Sequence, residues 1–405
     1  MNLKTNRNFL FLMLGQSLAN AGDVFYIVGV ISFIYKITES ATASAFVPFI
    51  ITFGMFTSSI FTPLLIGKFN LKKLLVGSQI GKTIILFVLS FVMMTGLELT
   101  NYYFVFFIIA GIATLDGCAN PIRLTLIPYY VEKELLIQAN GIAETITQSI
   151  QMGTWFLGSL LLIVFNANQL IWLVAVLFVL SSFILSLLKN VEHKAEKQEK
   201  KWAQLTQGWQ TINATPILKS MAKMEFFESI ASTVWIAAIL IVYVKEALHA
   251  EEQWWGFINS SFFIGLIIGS IVCVKLSQFV EQKGYVFIMT GTLLTCVLTI
   301  LFGITSFPFI ALILSALIGL FGQLKNIPQQ TIIQTSITKD QLATVYTSFG
   351  TISTGTFGIS SLIMGVLSDY LGVRSVFVLS GVLLSIVFVI AYKKRQLFMK
   401  TSYRG

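Results

Sequence analysis

Polar and charged positions in this chain are confined to short intervals that punctuate long apolar runs. Read from one polar turn to the next, the runs give twelve segments, at 8–35, 42–66, 73–96, 102–128, 136–164, 168–188, 217–244, 254–277, 284–304, 308–332, 341–367 and 373–393. Each has about the 20 residues a helix needs to cross ~30 Å of hydrocarbon. Connections such as Phe69-Asn70-Leu71, Asn166-Ala167-Asn168 and Ser306-Phe307 are too short to let neighbouring helices run any way but antiparallel. The pattern predicts an all-α membrane protein of twelve transmembrane helices. Its first run is much longer than the apolar stretch of a cleavable leader and lacks a small-residue cleavage site, so it is expected to stay in the mature chain.

One long polar interval, 189–216, interrupts the series between the sixth and seventh spans; it begins KNVEHKAEKQEKKWAQLTQGWQ. Near-balanced charge with Trp202 and Trp209 suggests a solvated linker carrying an amphipathic helix on the inner leaflet. The expected division is a six-helix bundle over 1–190, a linker over 191–216 and a second six-helix bundle over 217–405. The halves echo one another. Asn120-Pro121 leading to Val131-Glu132-Lys133-Glu134-Leu135-Leu136 is matched by Asn326-Ile327-Pro328 leading to Ile337-Thr338-Lys339-Asp340-Gln341-Leu342. Internal duplication around a long central loop is a mark of secondary transporters, which bind substrate near the midplane between repeats.

Composition sharpens this picture. Of the 405 residues 56% are hydrophobic and 11% charged, against roughly 25% charged in soluble domains; the mean hydropathy is +0.82. A globule of this length has too little polar residue to cover its surface, so lipid must be the solvent. The net charge of +9 does not point to nucleic acid, because the basic residues follow the loops. With the N-terminus inside, the outward segments hold only Lys36, Lys245 and Arg374. That asymmetry places both termini in the cytoplasm of a cell (inner) membrane protein. Cys118, Cys273 and Cys296 lie in apolar runs without metal-ligand spacing and read as small buried hydrophobes.

Three segments carry a family likeness over essentially the whole length. They are Gly15-Gln16-Ser17 with Gly22-Asp23 and Tyr35-Lys36-Ile37-Thr38-Glu39-Ser40; Asn120-Pro121 with Pro128-Tyr129-Tyr130-Val131, Leu135-Leu136 and Ala139-Asn140-Gly141; and Thr335-Ser336-Ile337 to Leu342 with Val345. On these residues the chain resembles the major facilitator drug exporters, in the branch of the macrolide-efflux proteins and the enterobactin exporter. It departs from them twice. Gly67 stands where the loop after the second span usually has an Asp, and Ala343-Thr344-Val345 replaces a Gly-Arg-Val. The resemblance implies that spans one, four, seven and ten line a central cavity.

Ionisable residues inside hydrocarbon cost at least ~2.5 kcal/mol each, so each needs a reason. Asp23, Asp116, Glu225 and Glu228 are the candidates for proton coupling or substrate binding, and all lie on the four helices that the resemblance assigns to the cavity. Lys82, Arg123, Glu144 and Lys325 are candidates for the cavity or its gate. Competing structural readings exist for each: Asp23 with Lys82, Asp116 with Arg123, and Glu225 and Glu228 neutralised by Lys219 and Lys223. Glu225 and Glu228, three apart, share a helix face. Two carboxylates so close cannot both ionise cheaply, and a shared proton is what proton coupling requires. Phe25, Tyr26, Phe226, Phe227 and Trp235 are candidate contacts for a flat substrate, or simply packing.

The expected function is proton-coupled efflux of a small amphipathic compound, a drug or antibiotic, by an alternating-access antiporter of the multidrug kind. Alternatives are export of a siderophore or another metabolite, a lysophospholipid flippase, and a non-transporting sensor or partner subunit. No cofactor is expected beyond the proton gradient, and the partners are a small-molecule substrate and the bilayer, with the chain a monomer. An enzyme is not expected: the sequence shows no nucleotide-binding Gly-rich loop, no metal-ligand cluster and no nucleophile with a histidine partner.

Overall fold

The structure, a computed structural model, describes residues 3–94, 102–191 and 201–402. The linker stretch 192–200, with His193, lies outside the described residues. Sixteen α-helices make up the described chain. They are α1 (Arg7–Thr38), α2 (Ala41–Ile66), α3 (Leu71–Met94), α4 (Tyr103–Tyr130), α5 (Leu136–Val164), α6 (Ala167–Ser186), α7 (Lys201–Ala214) and α8 (Pro216–Ala231). The rest are α9 (Ala237–Val242), α10 (Gln253–Lys275), α11 (Ser277–Gln282), α12 (Gly284–Ile304), α13 (Pro308–Ser336), α14 (Lys339–Leu371), α15 (Val373–Lys393) and α16 (Arg395–Ser402).

Ten of these are long and apolar enough to cross a membrane, and the bent pair Pro216–Trp235 with Ala237–Ala247 makes an eleventh span. Helix α5 completes the expected twelve. It has 29 residues, but Gln138, Asn140, Glu144 and Gln148 make its first half polar.

Helix starts follow local chemistry. Asn6 accepts from the Phe9 amide and begins α1, and Ser40 does the same for Ala43 at α2. Asn166 and Gln169 form a reciprocal capping box at α6, each side chain bonding the other's amide.

The seventh span differs from the continuous helix expected at 217–244. It breaks at the 3₁₀ turn Ser232–Trp235 and bends by 48°. Ser232 and Thr233 turn their hydroxyls back on the carbonyls of Ser229 and Ile230, at 2.9 and 2.7 Å. This local bonding competes with the regular helix. The break seats Trp235 among Phe262, Phe302 and Phe377, with ring centroids 5.4, 4.9 and 5.8 Å away.

The chain forms two compact units. The first comprises Met1–Glu132, Ser149–Gly208 and Lys339–Thr351. In it α1 packs on α6, α2 on α4, and α3 on both α4 and α6. The second comprises Lys133–Gln148, Trp209–Thr338 and Ile352–Gly405. In it α8 packs on α15, α10 on α13, and α12 on both α13 and α15. These are the same four pairings, displaced by six spans, so the duplication read in the sequence reappears as duplicated packing. Helix α5 gives its first half to the second unit, and α14 gives its first half to the first unit.

Close packing in the first unit depends on small residues. Gly15, Gly22 and Gly29, seven apart on α1, face Leu185, Phe178 and Ile171, seven apart on α6. Without hydrophobic drive between helices in lipid, small-against-large seams of this kind provide the van der Waals contact.

Candidate functional site

Each unit holds its own charged cluster, and both clusters are built around a buried lysine. In the first unit Lys82 reaches from α3 between α1 and α4. Its ammonium lies 2.6 and 2.8 Å from the two carboxylate oxygens of Asp23 and 2.6 Å from Asp116 Oδ1. The Lys82 side chain is 1% exposed, against 18% for Asp23 and 26% for Asp116. The ammonium is therefore the most buried member of the triad, and the two carboxylates keep part of their surface exposed. Phe178 lies under the ammonium, 4.9 Å from ring centroid to Nζ. Gly22 permits this, since a Cβ there would stand 2.5 Å from the Phe178 ring.

The ion triad fixes the partners that the sequence left open. Asp23 does contact Lys82, and Asp116 does so too rather than standing with Arg123 alone on α4. Arg123, 7% exposed, donates from Nε and Nη2 to Asn120 Oδ1 at 3.3 and 3.1 Å, one turn back. Fully ionised, two carboxylates and one ammonium carry one surplus negative charge. One proton or one cation neutralises it.

In the second unit Lys325 of α13 donates to Glu228 Oε2 of α8 at 2.6 Å, with side chains 6% and 16% exposed. Lys219 and Lys223, the neutralising neighbours considered from sequence, are exposed on another face of α8. Glu225, one turn before Glu228, accepts from the Ser229 hydroxyl at 3.3 Å. This cluster too has two carboxylates and one ammonium. Glu144 on the first half of α5 forms a separate group in the same unit, accepting from the amides of Gln148 at 3.1 Å and Gln323 at 3.4 Å.

Sequence reasoning did not find the role of Phe178, or the buried amide clasp beside Glu144. There Asn140 donates to Thr331 Oγ1 at 2.9 Å and to Gln334 Oε1 at 2.8 Å, and accepts from Gln334 Nε2 at 3.2 Å. Three polar residues on apolar helices were the available signal. Of the aromatic candidates, Phe25 and Tyr26 belong to the first unit's core, Trp235 packs against the second unit's core, and Phe226 is 44% exposed. Cys118, Cys273 and Cys296 are buried and free.

Twelve spans, one of them a bent pair, in a duplicated packing with buried ion pairs on long apolar helices, define a polytopic membrane transporter. The chain belongs to the Major Facilitator Superfamily, whose sequence profile matches residues 12–241 and, overlapping, 224–398. It is 28% identical to the uncharacterized MFS-type transporter YfmI of Bacillus subtilis (strain 168), over 98% of both chains. It is 27% identical to YjbB of the same organism, over 97% of this chain and 96% of that one. The fold is shared with the E. coli fucose:proton symporter FucP, at 15% identity and a TM-score of 0.70 over 93% of this chain and 98% of the other. It is shared also with a bacterial homologue of the iron transporter ferroportin, at 13% identity and a TM-score of 0.74 over 98% and 99%.

Proposed function

We propose that this transporter is a proton-coupled exporter of small amphipathic compounds of cationic character, drugs or antibiotics, working by alternating access. It acts as a monomer with both termini in the cytoplasm, its bundles 1–190 and 217–405 joined by the cytoplasmic linker 191–216. The observation that carries the reading is Glu225. It sits at membrane depth beside an ion pair already complete between Glu228 and Lys325, so it is the carboxylate of that cluster left to exchange a proton. Support comes from the surplus of negative charge in both clusters and from the likeness to drug exporters. The engagement of Lys82 and Lys325 by carboxylates weighs against an anionic siderophore as cargo.

The test is export of ethidium, an aromatic cation, from proteoliposomes under an imposed pH gradient. Glu225→Gln should retain downhill exchange and lose concentration against the gradient. Uphill ethidium movement by that variant at the unmodified rate would remove Glu225 from the coupling step.

A further inference from the structure

Residues 342–349, two turns at the start of α14, are buried on every face. Three of them carry hydroxyls that return to the helix's own carbonyls. Thr344 donates to Gln341 at 3.0 Å, Thr347 to Thr344 at 2.7 Å and Ser348 to Thr344 at 3.1 Å. These hydroxyls satisfy themselves locally, so withdrawing the segment from its surroundings does not strand them.

One side of this segment is covered by α7. Gln204 and Gly208, four residues apart, lie on one face of that helix. Gly208 is buried and Ile212 is 3% exposed, whereas Trp202 is 75% and Trp209 37% exposed. At Gly208 the two helices meet backbone to backbone: a Cβ there would overlap the Thr344 carbonyl oxygen and the Ser348 hydroxyl. One turn earlier, the Gln204 amide lies 3.5 Å from where a Cβ on Gly67 would stand, at the end of α2. Helix α7 is thus braced on α2 and crosses α14 within the first unit. Its two points of support, Gly67 and Thr344, fall in the two segments where the sequence departs from the family pattern.

We infer that α7 is a clip retaining the first half of α14 in the first unit, with Gly208 and Gln204 as the positioning residues. This rests on the alternating-access reading above. Helix α14 passes from the first unit to the second after Thr351, and α7 passes between the same units after Gly208. If the units move against each other, a helix shared between them has to be released by one. The seat formed by α7 sets how readily α14 is released.

Hydrogen–deuterium exchange of the purified full-length chain in detergent tests the inference. Gly208→Val should speed exchange of 342–349 by about tenfold while leaving 352–371 unchanged, because it opens one local unit rather than the whole fold. In a second variant, Gly67→Cys with Gln204→Cys, a short reducible bis-thiosulfonate cross-linker should slow exchange of 342–349, and dithiothreitol should reverse it. This arm keeps Gly208 and so does not depend on the first variant folding. Unchanged exchange in 342–349 in a folded Gly208→Val protein, or after verified cross-linking, overturns the clip. Neither readout uses substrate or a pH gradient, so the result is independent of the role of Glu225.

Discussion

Lys325 and Glu228 join α13 to α8 through a 2.6 Å contact in which both side chains are largely buried. Removing one member of a buried pair typically costs about 3–5 kcal/mol, because the survivor is left as an uncompensated charge. The two directions are not equivalent here. Lys325→Met leaves Glu228 and Glu225 without their cation, whereas Glu228→Gln leaves Lys325 with Glu225 still near. Thermal melting in detergent should therefore rank Lys325→Met as the less stable variant. The double variant, with neither charge of the pair, should melt above Lys325→Met. Equal melting of the two single variants would show that Glu225 does not share the lysine.

The seam between α1 and α6 should respond to one methyl group. Gly22→Ala places a Cβ against the Phe178 ring, and overpacking of this kind typically costs about 1–3 kcal/mol. Because Phe178 also lies under Lys82, the variant should disturb the ion triad as well as the seam. Melting should fall, and Phe178→Leu added to Gly22→Ala should recover part of the loss. No recovery would place the strain elsewhere along the seam.

The span count, the duplication and the identity of the membrane charges were legible in the sequence because lipid imposes a simple rule. Apolar runs must be long, and every interruption needs a cause. Pairing was legible only in part: Asp23 with Lys82 was read across 59 residues of chain, whereas Asp116, read with Arg123 seven residues on, meets Lys82 across 34. Lys219 and Lys223 were near Glu225 and Glu228 in sequence, but helix rotation points them elsewhere. The break in the seventh span was also hidden. Ser232 and Thr233 are common inside membrane helices, and the seating of Trp235 among three phenylalanine rings, which accompanies the bend, comes from distant parts of the chain. The exchange of the first halves of α5 and α14 between units likewise comes from packing, which no local pattern encodes.

Glu281 offers a pH test outside the membrane spans, on the short helix α11. Its carboxyl is raised above the usual glutamate range by burial first and by the neighbouring Glu134 second, with Lys133 opposing. A carboxyl that holds its proton more tightly in the folded chain contributes stability below its unfolded value. That contribution is lost as pH rises through the folded value. Glu281→Gln should therefore melt higher than the parent at neutral pH, and the gap should close on acidification. A gap that stays constant with pH would mean that packing, not ionisation, separates the two.

The amide clasp on α5 gives the strictest test of how the first half of that helix is held. Asn140 is 0% and Gln334 4% exposed, so both amides are shut off from bulk solvent. In Asn140→Ala, Gln334 loses two hydrogen bonds, one accepted at its oxygen and one donated from its nitrogen. Thr331 is less affected, because its hydroxyl still donates to the Ile327 carbonyl at 3.0 Å. Leaving a buried polar group unsatisfied costs about 1–3 kcal/mol, whereas removing both partners together is nearly neutral. Asn140→Ala should thus lower the melting temperature clearly, and Asn140→Ala combined with Gln334→Leu should restore much of it. Exchange of the α5 amides near residue 140 should rise in the single variant and fall back in the double. If the double variant is as unstable as the single one, lost packing around Asn140 governs the site and the clasp contributes little.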